Sequence, residues 1–179
     1  MDLSTITVAE LTIYPVKSLR GISLQHSLLS TKGLQHDRRW MVVRDNGRFV
    51  TQRDLATLAL IETRLIAAGV ILSRDGFGSI PLRFDSPAGA AISTKVWSDV
   101  VETTDEGGEA AAWLTAATES AKPLRIVRMA AGFERQHSDA DRFGKENATL
   151  FADASPYLLA NQESLQILNV ALRARGHEA

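Results

Sequence analysis

No cysteine occurs anywhere in the 179 residues. That absence removes a disulfide framework, a thiolate zinc site, an iron–sulfur cluster and a cysteine nucleophile from the chemistry this chain can supply. A surplus of one charge is lacking too. The chain has 20 basic and 21 acidic residues, a net charge of −1, so no global field directs it to nucleic acid or an anionic membrane. Any anion site must be local. The apolar stretches are too short, and too often broken by charge, to span a bilayer. The N-terminus carries Asp2 and Glu10 and alternates apolar with polar residues. No signal peptide is expected there, and a cytoplasmic protein is the expectation. His26, His36, His137 and His177 show no metal-ligand spacing. The motifs GxGxxG, GxxxxGKS, GxSxG and HExxH are all missing, which disposes of dinucleotide-fold, P-loop, α/β-hydrolase and zincin readings.

What is present is ordinary for a globular chain: 45% apolar and 23% charged residues. The length suits one domain, or one domain and part of another. A domain of this size hides about two-thirds of its unfolded surface. β-Branched residues mixed with polar ones suggest strands over Ile6–Val16 and Ile22–Ser30, with a turn at Gly33. Trp40–Arg44 is a compact apolar strand. Asp45-Asn46-Gly47 then separates it from Arg48–Thr51, a strong hairpin signal. Leu58–Ala67 suits strand or helix. Further strands are expected at Val70–Ser73, Ile80–Phe84, Ala91–Trp97 and Leu124–Met129, with a turn at Ser86-Pro87-Ala88-Gly89. The alanine-rich Gly107–Ser120 is a helix, and Trp40, Trp97 and Trp113 suit core packing. Polar, irregular Gly132–Ala148 suggests a mobile surface loop. Leu165, Leu168, Val170 and Leu172 mark a last amphipathic helix, closed by Arg173, Arg175 and Gly176. The class is α+β: mostly antiparallel and β-barrel-like, with two main helices.

Four segments can carry chemistry. In Tyr14-Pro15-Val16-Lys17-Ser18-Leu19-Arg20-Gly21, a strand ends at proline and presents an ammonium and a hydroxyl beside exposed backbone N–H groups. That combination can hold an oxyanion, though it also suits a solvated turn. In Gly33-Leu34-Gln35-His36-Asp37-Arg38-Arg39-Trp40, an arginine fork suits a phosphate or a pterin edge. Equally, Asp37 can pair with an arginine simply to pin the start of the strand. Alternation allows only one of Arg38 and Arg39 to face any one site. Thr51-Gln52-Arg53 is a polar cluster after a strand, a pattern that is usually solvent-facing. Phe151-Ala152-Asp153-Ala154-Ser155-Pro156-Tyr157-Leu158-Leu159 offers a carboxylate and a hydroxyl, and also suits a local turn.

In order and spacing, YPVKSLRG, GLQHDRRWMVV, NGRFVTQR and FADASPYLL with SLQILN resemble MOSC-domain proteins that carry the MOSC N-terminal β-barrel domain. That group includes the mitochondrial amidoxime reducing component. The resemblance implies a MOSC N-terminal β-barrel domain over residues 1–130. Residues 131–179 would then be a loop and the start of a MOSC domain, truncated before a cysteine that ligates molybdenum. It implies a molybdenum cofactor bound as molybdopterin, reduction of N-hydroxylated compounds, and a ferredoxin-like or reductase partner in the intact protein. It makes Lys17, Ser18, Arg38 and Ser155 cofactor contacts. The roles of Thr51 and Arg53 stay open, and Ala154 stands where some relatives carry a hydroxyl. No catalytic or metal-ligating residue is expected within the chain, and no turnover from it alone. Two other classes stand beside this one: a non-catalytic module for a small ligand or protein, and a sulfur-carrier remnant. An exposed apolar face near the C-terminus would favour a homodimer or a loose terminal helix.

Overall fold

The strand Trp40–Arg44 buries Trp40, Met41, Val42 and Val43 completely, which requires cover on both of its faces. The computed structural model describes residues 6–85, 89–136, 144 and 148–177. Alternate side chains of this strand go to different cores, as the period of two demands. Trp40 and Val42 join a large cluster with Val16, Leu19, Leu58, Val70, Leu72, Leu82, Leu114 and Ile126. Met41 and Val43 join a smaller cluster with Val96, Val101, Val127 and Phe151.

In chain order the strands are β1 (Leu11–Ile13), β2 (Val16–Lys17), β3 (Ile22–Leu24), β4 (Leu29–Ser30), β5 (Gly33–Leu34), β6 (Trp40–Arg44), β7 (Glu62–Ile66), β8 (Gly69–Arg74), β9 (Gly78–Arg83), β10 (Ala91–Val96), β11 (Asp99–Asp105), β12 (Leu124–Met129), β13 (Arg135–Gln136) and β14 (Ala148–Thr149). A 3-10 turn spans Ala56–Leu60, and the helices are α1 (Gly108–Ala117) and α2 (Gln162–Ala174). The central sheet runs β10-β11-β12-β6-β2, antiparallel except for the β2–β6 pair. The sheet β7-β8-β9 and helix α1 cover one face and fill the large core. Three two-stranded sheets complete the set, and no sheet closes on itself among the described residues.

The hairpin after β6 forms as expected. Gly47 N donates to Arg44 O at 2.9 Å and Arg44 N to Arg48 O at 2.8 Å, with Gly47 at φ 76°. This is a three-residue loop whose last member must be left-handed. The second arm contributes only isolated bridges, Phe49 to Val43 and Arg48 to Lys95, and beyond Val50 the chain turns towards Asp54.

Elsewhere the elements differ from the sequence expectations. The first two long strands break into β1–β2 and β3–β4, because Pro15 and the stretch after Leu24 interrupt the ladders. The turn expected at Gly33 is the tight Thr31-Lys32 loop between β4 and β5, and Gly33 closes it as the first residue of β5 at φ 116°. Leu58–Ala67 is both helix and strand, the 3-10 turn giving way to β7 at Ile61. Strand β11, with its alternating Val101, Thr103 and Asp105 buried, has no counterpart in the sequence reading. Trp97 is not core but sits at the β10–β11 turn, 47% exposed, whereas Trp40 is fully buried. The loop expected at 132–148 is anchored at both ends by β13 and β14. Residues 137–143 and 145–147 of it, with His137, and Ser86-Pro87-Ala88 lie outside the described residues.

Helix α2 is capped by Asn161, whose side-chain oxygen accepts from the N–H groups of Glu163 and Ser164, and it buries no residue at all. No helix among the described residues is long and apolar enough to cross a membrane.

A candidate anion-binding site

Burial of one ring brings the four polar segments together. Phe151 is fully buried in the smaller core beneath β6, a gain of about 1.5–3 kcal/mol for a side chain of this kind. That anchors the following Ala152-Asp153-Ala154-Ser155 against the loop after β2. Arg135, almost wholly buried, holds the same stretch by donating to Leu150 O at 3.1 Å and Ala152 O at 2.7 Å while pairing with Asp99 at 2.8 Å. The result is a cavity of about 540 Å³ lined by residues of all four segments, among them Lys17, Ser18, Arg38, Arg53, Asp153 and Ser155. All four sequence-predicted contacts, Lys17, Ser18, Arg38 and Ser155, therefore line one space, and the Arg38 charge acts on Lys17.

The backbone at two of them is unusual. Leu19 N donates to Val16 O at 3.1 Å, closing a turn that puts Ser18 at φ 72°. Arg38 stands at φ 46° just after a second turn, in which Asp37 N donates to Leu34 O at 3.0 Å and His36 has φ 70°. Positive φ is costly for a residue with a Cβ and persists only where neighbours impose it. Here Val16 and Leu19 are buried on either side of the first turn, and Gln52 Nε2 donates to Ser18 O at 2.9 Å. Strain thus gathers where ligand contacts are expected.

The cations are not equally available. Lys17 has only 8% of its side chain exposed and is paired with Asp153, while also donating to Phe151 O at 3.0 Å. Burial pushes the Lys17 ammonium below the usual lysine range, and Asp153 offsets only part of that. Burial alone would raise the Asp153 carboxyl. Its bond and charge contact with Lys17, the Trp97 indole N–H at 3.1 Å and Arg38 together bring it below the usual carboxylate range. Arg38 is paired with buried Asp37 and lies 4.9 Å from the centre of the Tyr14 ring. The other Asp37 oxygen accepts from Tyr14 N at 2.7 Å, so Asp37 both pins the strand and holds the arginine. Arg39 points elsewhere, donating to Phe84 O at 3.0 Å, which agrees with one arginine per face. Thr51 is engaged by Asp54 through both its N–H and its hydroxyl, each at 3.0 Å.

Sequence reasoning missed Trp97 and Arg135 as parts of this region. Tyr14 and Gln52 lie inside two of the segments singled out, where neither was given a role of its own. Arg135 and Trp97 reach the site only through tertiary packing. Two other hollows, of about 500 and 670 Å³, lie between the Asp45 loop and the end of α1. They draw on none of the four segments, and in the larger one Arg44, Arg48 and Lys122 face Asp45, Asp54 and Glu119. Size alone does not make it the better site. No group of acidic or histidine residues suited to a metal occurs among the described residues.

A profile of the MOSC N-terminal beta barrel domain matches residues 5–120. Among curated proteins, the chain is 31% identical over 176 residues to mitochondrial amidoxime-reducing component 1 of Homo sapiens, covering 94% of this chain and 52% of that protein. It is 28% identical over 173 residues to the Xenopus laevis protein of the same name, covering 92% and 50% respectively. With molybdenum cofactor sulfurase of Drosophila grimshawi it shares 34% identity over 166 residues, 89% of this chain and 20% of that one. The chain thus spans about half the length of the amidoxime-reducing components it matches.

Proposed function

We propose that this chain, which belongs to the MOSC N-terminal beta barrel domain family, supplies contacts to the anionic pterin part of a molybdenum cofactor in an oxidoreductase acting on N-hydroxylated compounds. The observation that carries this reading is the convergence of Lys17, Ser18, Arg38 and Ser155 on one cavity of about 540 Å³. The names of its relatives, an amidoxime-reducing component and a molybdenum cofactor sulfurase, fit the same cofactor.

The donor set suits a phosphate-bearing pterin. Ammonium, guanidinium and hydroxyl groups give charge-assisted bonds to phosphate oxygens, about 1.5–3 kcal/mol each before screening. Ser18 and Arg38 sit on strained, tightly held backbone, so their donors are fixed before a ligand arrives. Tyr14 adds an aromatic wall. The same donor set does not suit the metal end, because a soft thiolate ligand is absent from these 179 residues. When bound, the cofactor would contribute two-electron redox chemistry at molybdenum. The chain's own residues bind and orient: Lys17 and Arg38 offer N–H donors from the cavity wall, Ser18 and Ser155 offer hydroxyl bonds, and Asp153 and Asp37 hold the two cations in position. Residues 1–130 would form the barrel-type domain and residues 131–179 the start of the next one. A ferredoxin-like or reductase partner and a cytoplasmic location belong to this proposal as well.

The test is cofactor retention. Purified from a host that makes the cofactor, the chain should carry pterin, measured by fluorescence after oxidation. The double variant Lys17→Gln/Arg38→Gln should carry at least about tenfold less, with an unchanged circular dichroism spectrum. A pterin-free wild-type protein, or equal retention by the variant, sinks the reading.

A further inference from the structure

We propose that Arg53 is the principal charge-recognising contact of the cavity, engaging an oxyanion of the phosphate type through its planar fork. The inference rests on the anion-binding reading above and deepens it, because neither the sequence motifs nor the relatives assign Arg53 a role.

The first ground is electrostatic. Lys17 and Arg38 are each matched by a carboxylate, Asp153 and Asp37. An anion approaching Lys17 meets Asp153 first, whose side chain is 63% exposed while that of Lys17 is 8% exposed. Two ion pairs cancel, and like charge beside them repels a dianion. Arg53 lines the same cavity, is exposed, and has no side-chain hydrogen bond, ion pair or ring contact among the described residues. The surplus positive charge of the wall is therefore its own.

The second ground is geometric. The backbone beneath Arg53 is fixed although its guanidinium is not. Arg53 N donates to Thr51 Oγ1 at 3.2 Å, Thr51 N and Oγ1 both donate to Asp54 Oδ2 at 3.0 Å, and Leu55 N donates to Thr51 O at 3.0 Å. Those bonds, rather than burial, hold the Asp54 carboxyl below its usual range. The neighbouring Gln52 ties this turn to the Ser18 carbonyl at 2.9 Å. A preorganised base with a free, forked cation is the arrangement that binds oxyanions bidentately at low entropic cost. Lys17 and Arg38 then shape the cavity and hold its walls, while Arg53 discriminates by charge.

Calorimetric titration of the full chain with inorganic pyrophosphate at low, constant ionic strength tests this. Four variants are compared with the wild type: Arg53→Gln, Arg53→Lys, Arg38→Gln and, as an outside control, Arg64→Gln, an exposed arginine of β7 that does not line the cavity. We expect Arg53→Gln to weaken binding by about tenfold or more, as loss of one charge-assisted bond implies. Arg53→Lys should fall between, since it keeps the charge and loses the fork, and Arg64→Gln should match the wild type. Arg53 is exposed, so the thermal midpoints of its variants should stay unchanged. If the wild type binds and Arg38→Gln weakens it while Arg53→Gln does not, the role of Arg53 is refuted and the cavity reading survives. If Arg64→Gln weakens binding as much as Arg53→Gln, diffuse surface charge is responsible and the inference also fails. If the wild type does not bind pyrophosphate at all, the anion-binding reading itself falls, and the role of Arg53 with it.

Discussion

Asp37 carries more of the site than its motif suggests. Its carboxylate is buried, with one oxygen on Tyr14 N at 2.7 Å and the other on Arg38. Asparagine in its place keeps the first acceptor and sets an NH2 group against a guanidinium. Asp37→Asn should therefore lower stability by about 1.5–3 kcal/mol, the range for a hydrogen bond to a charged group. A urea midpoint shift at constant slope would register it, and a change under about 0.5 kcal/mol would mean Arg38 is held by other means. Part of this was legible in the sequence, where an aspartate beside two arginines before an apolar strand suggested both pinning and an anion fork. That both roles coexist, and that Tyr14 N takes the second oxygen, depends on contacts 23 residues apart. Arg53 teaches the opposite lesson. Its motif looked weakest because a polar cluster after a strand is usually solvent-facing, and solvent exposure is what leaves its charge unspent.

Among the elements, β6 and the segment after β14 decide the geometry. β6 was readable to its last residue because a five-residue apolar run closed by Asp45-Asn46-Gly47 has little alternative. At Gly47 a Cβ would meet Ser93 O at 2.3 Å, so the glycine is required by close approach as well as by its φ of 76°. β11 escaped notice because Asp99-Val100-Val101-Glu102-Thr103-Thr104-Asp105 is mostly polar, and only its pairing with β10 and β12 makes it a strand. The 151–155 segment has no regular structure and depends on one anchor. Phe151→Ala should cost about 3–5 kcal/mol, the loss for a fully buried large aromatic. Because Lys17 donates to Phe151 O and Trp97 donates to Asp153, the same variant should red-shift tryptophan emission as the segment loosens. Full stability with unchanged emission would show that Arg135 alone secures it. Helix α2 stands apart, with Leu165, Ile167, Leu168 and Val170 all more than half exposed.

For the molecule as a whole, several shifted groups give the pH response one sign. Burial, then the neighbouring Arg39 charge, lowers His36, whose ring stacks on Phe84 at 4.1 Å. Below the ordinary histidine value of about 6.5, the unfolded chain takes up a proton that folded His36 resists, so stability falls with acidification. Lowered Asp153 acts in the same sense below about 4. Lowered Lys17 makes stability rise towards about pH 10. Denaturation between pH 7 and 5 should show decreasing stability in the wild type and a flatter profile in His36→Gln. Identical slopes would show that His36 is protonated as readily folded as unfolded.

The sequence by itself determined the mixed class, the hairpin after Trp40–Arg44, the two helices and the identity of four polar segments, because periodicity, turn chemistry and caps act over a few residues. Only the tertiary structure decided that those segments meet, since the meeting depends on Phe151 entering a core 110 residues after Met41 and Val43 begin it. It also decided which cations are already spent. A salt bridge such as Lys17–Asp153 joins residues 136 positions apart, and no local pattern records how a distant carboxylate will be turned.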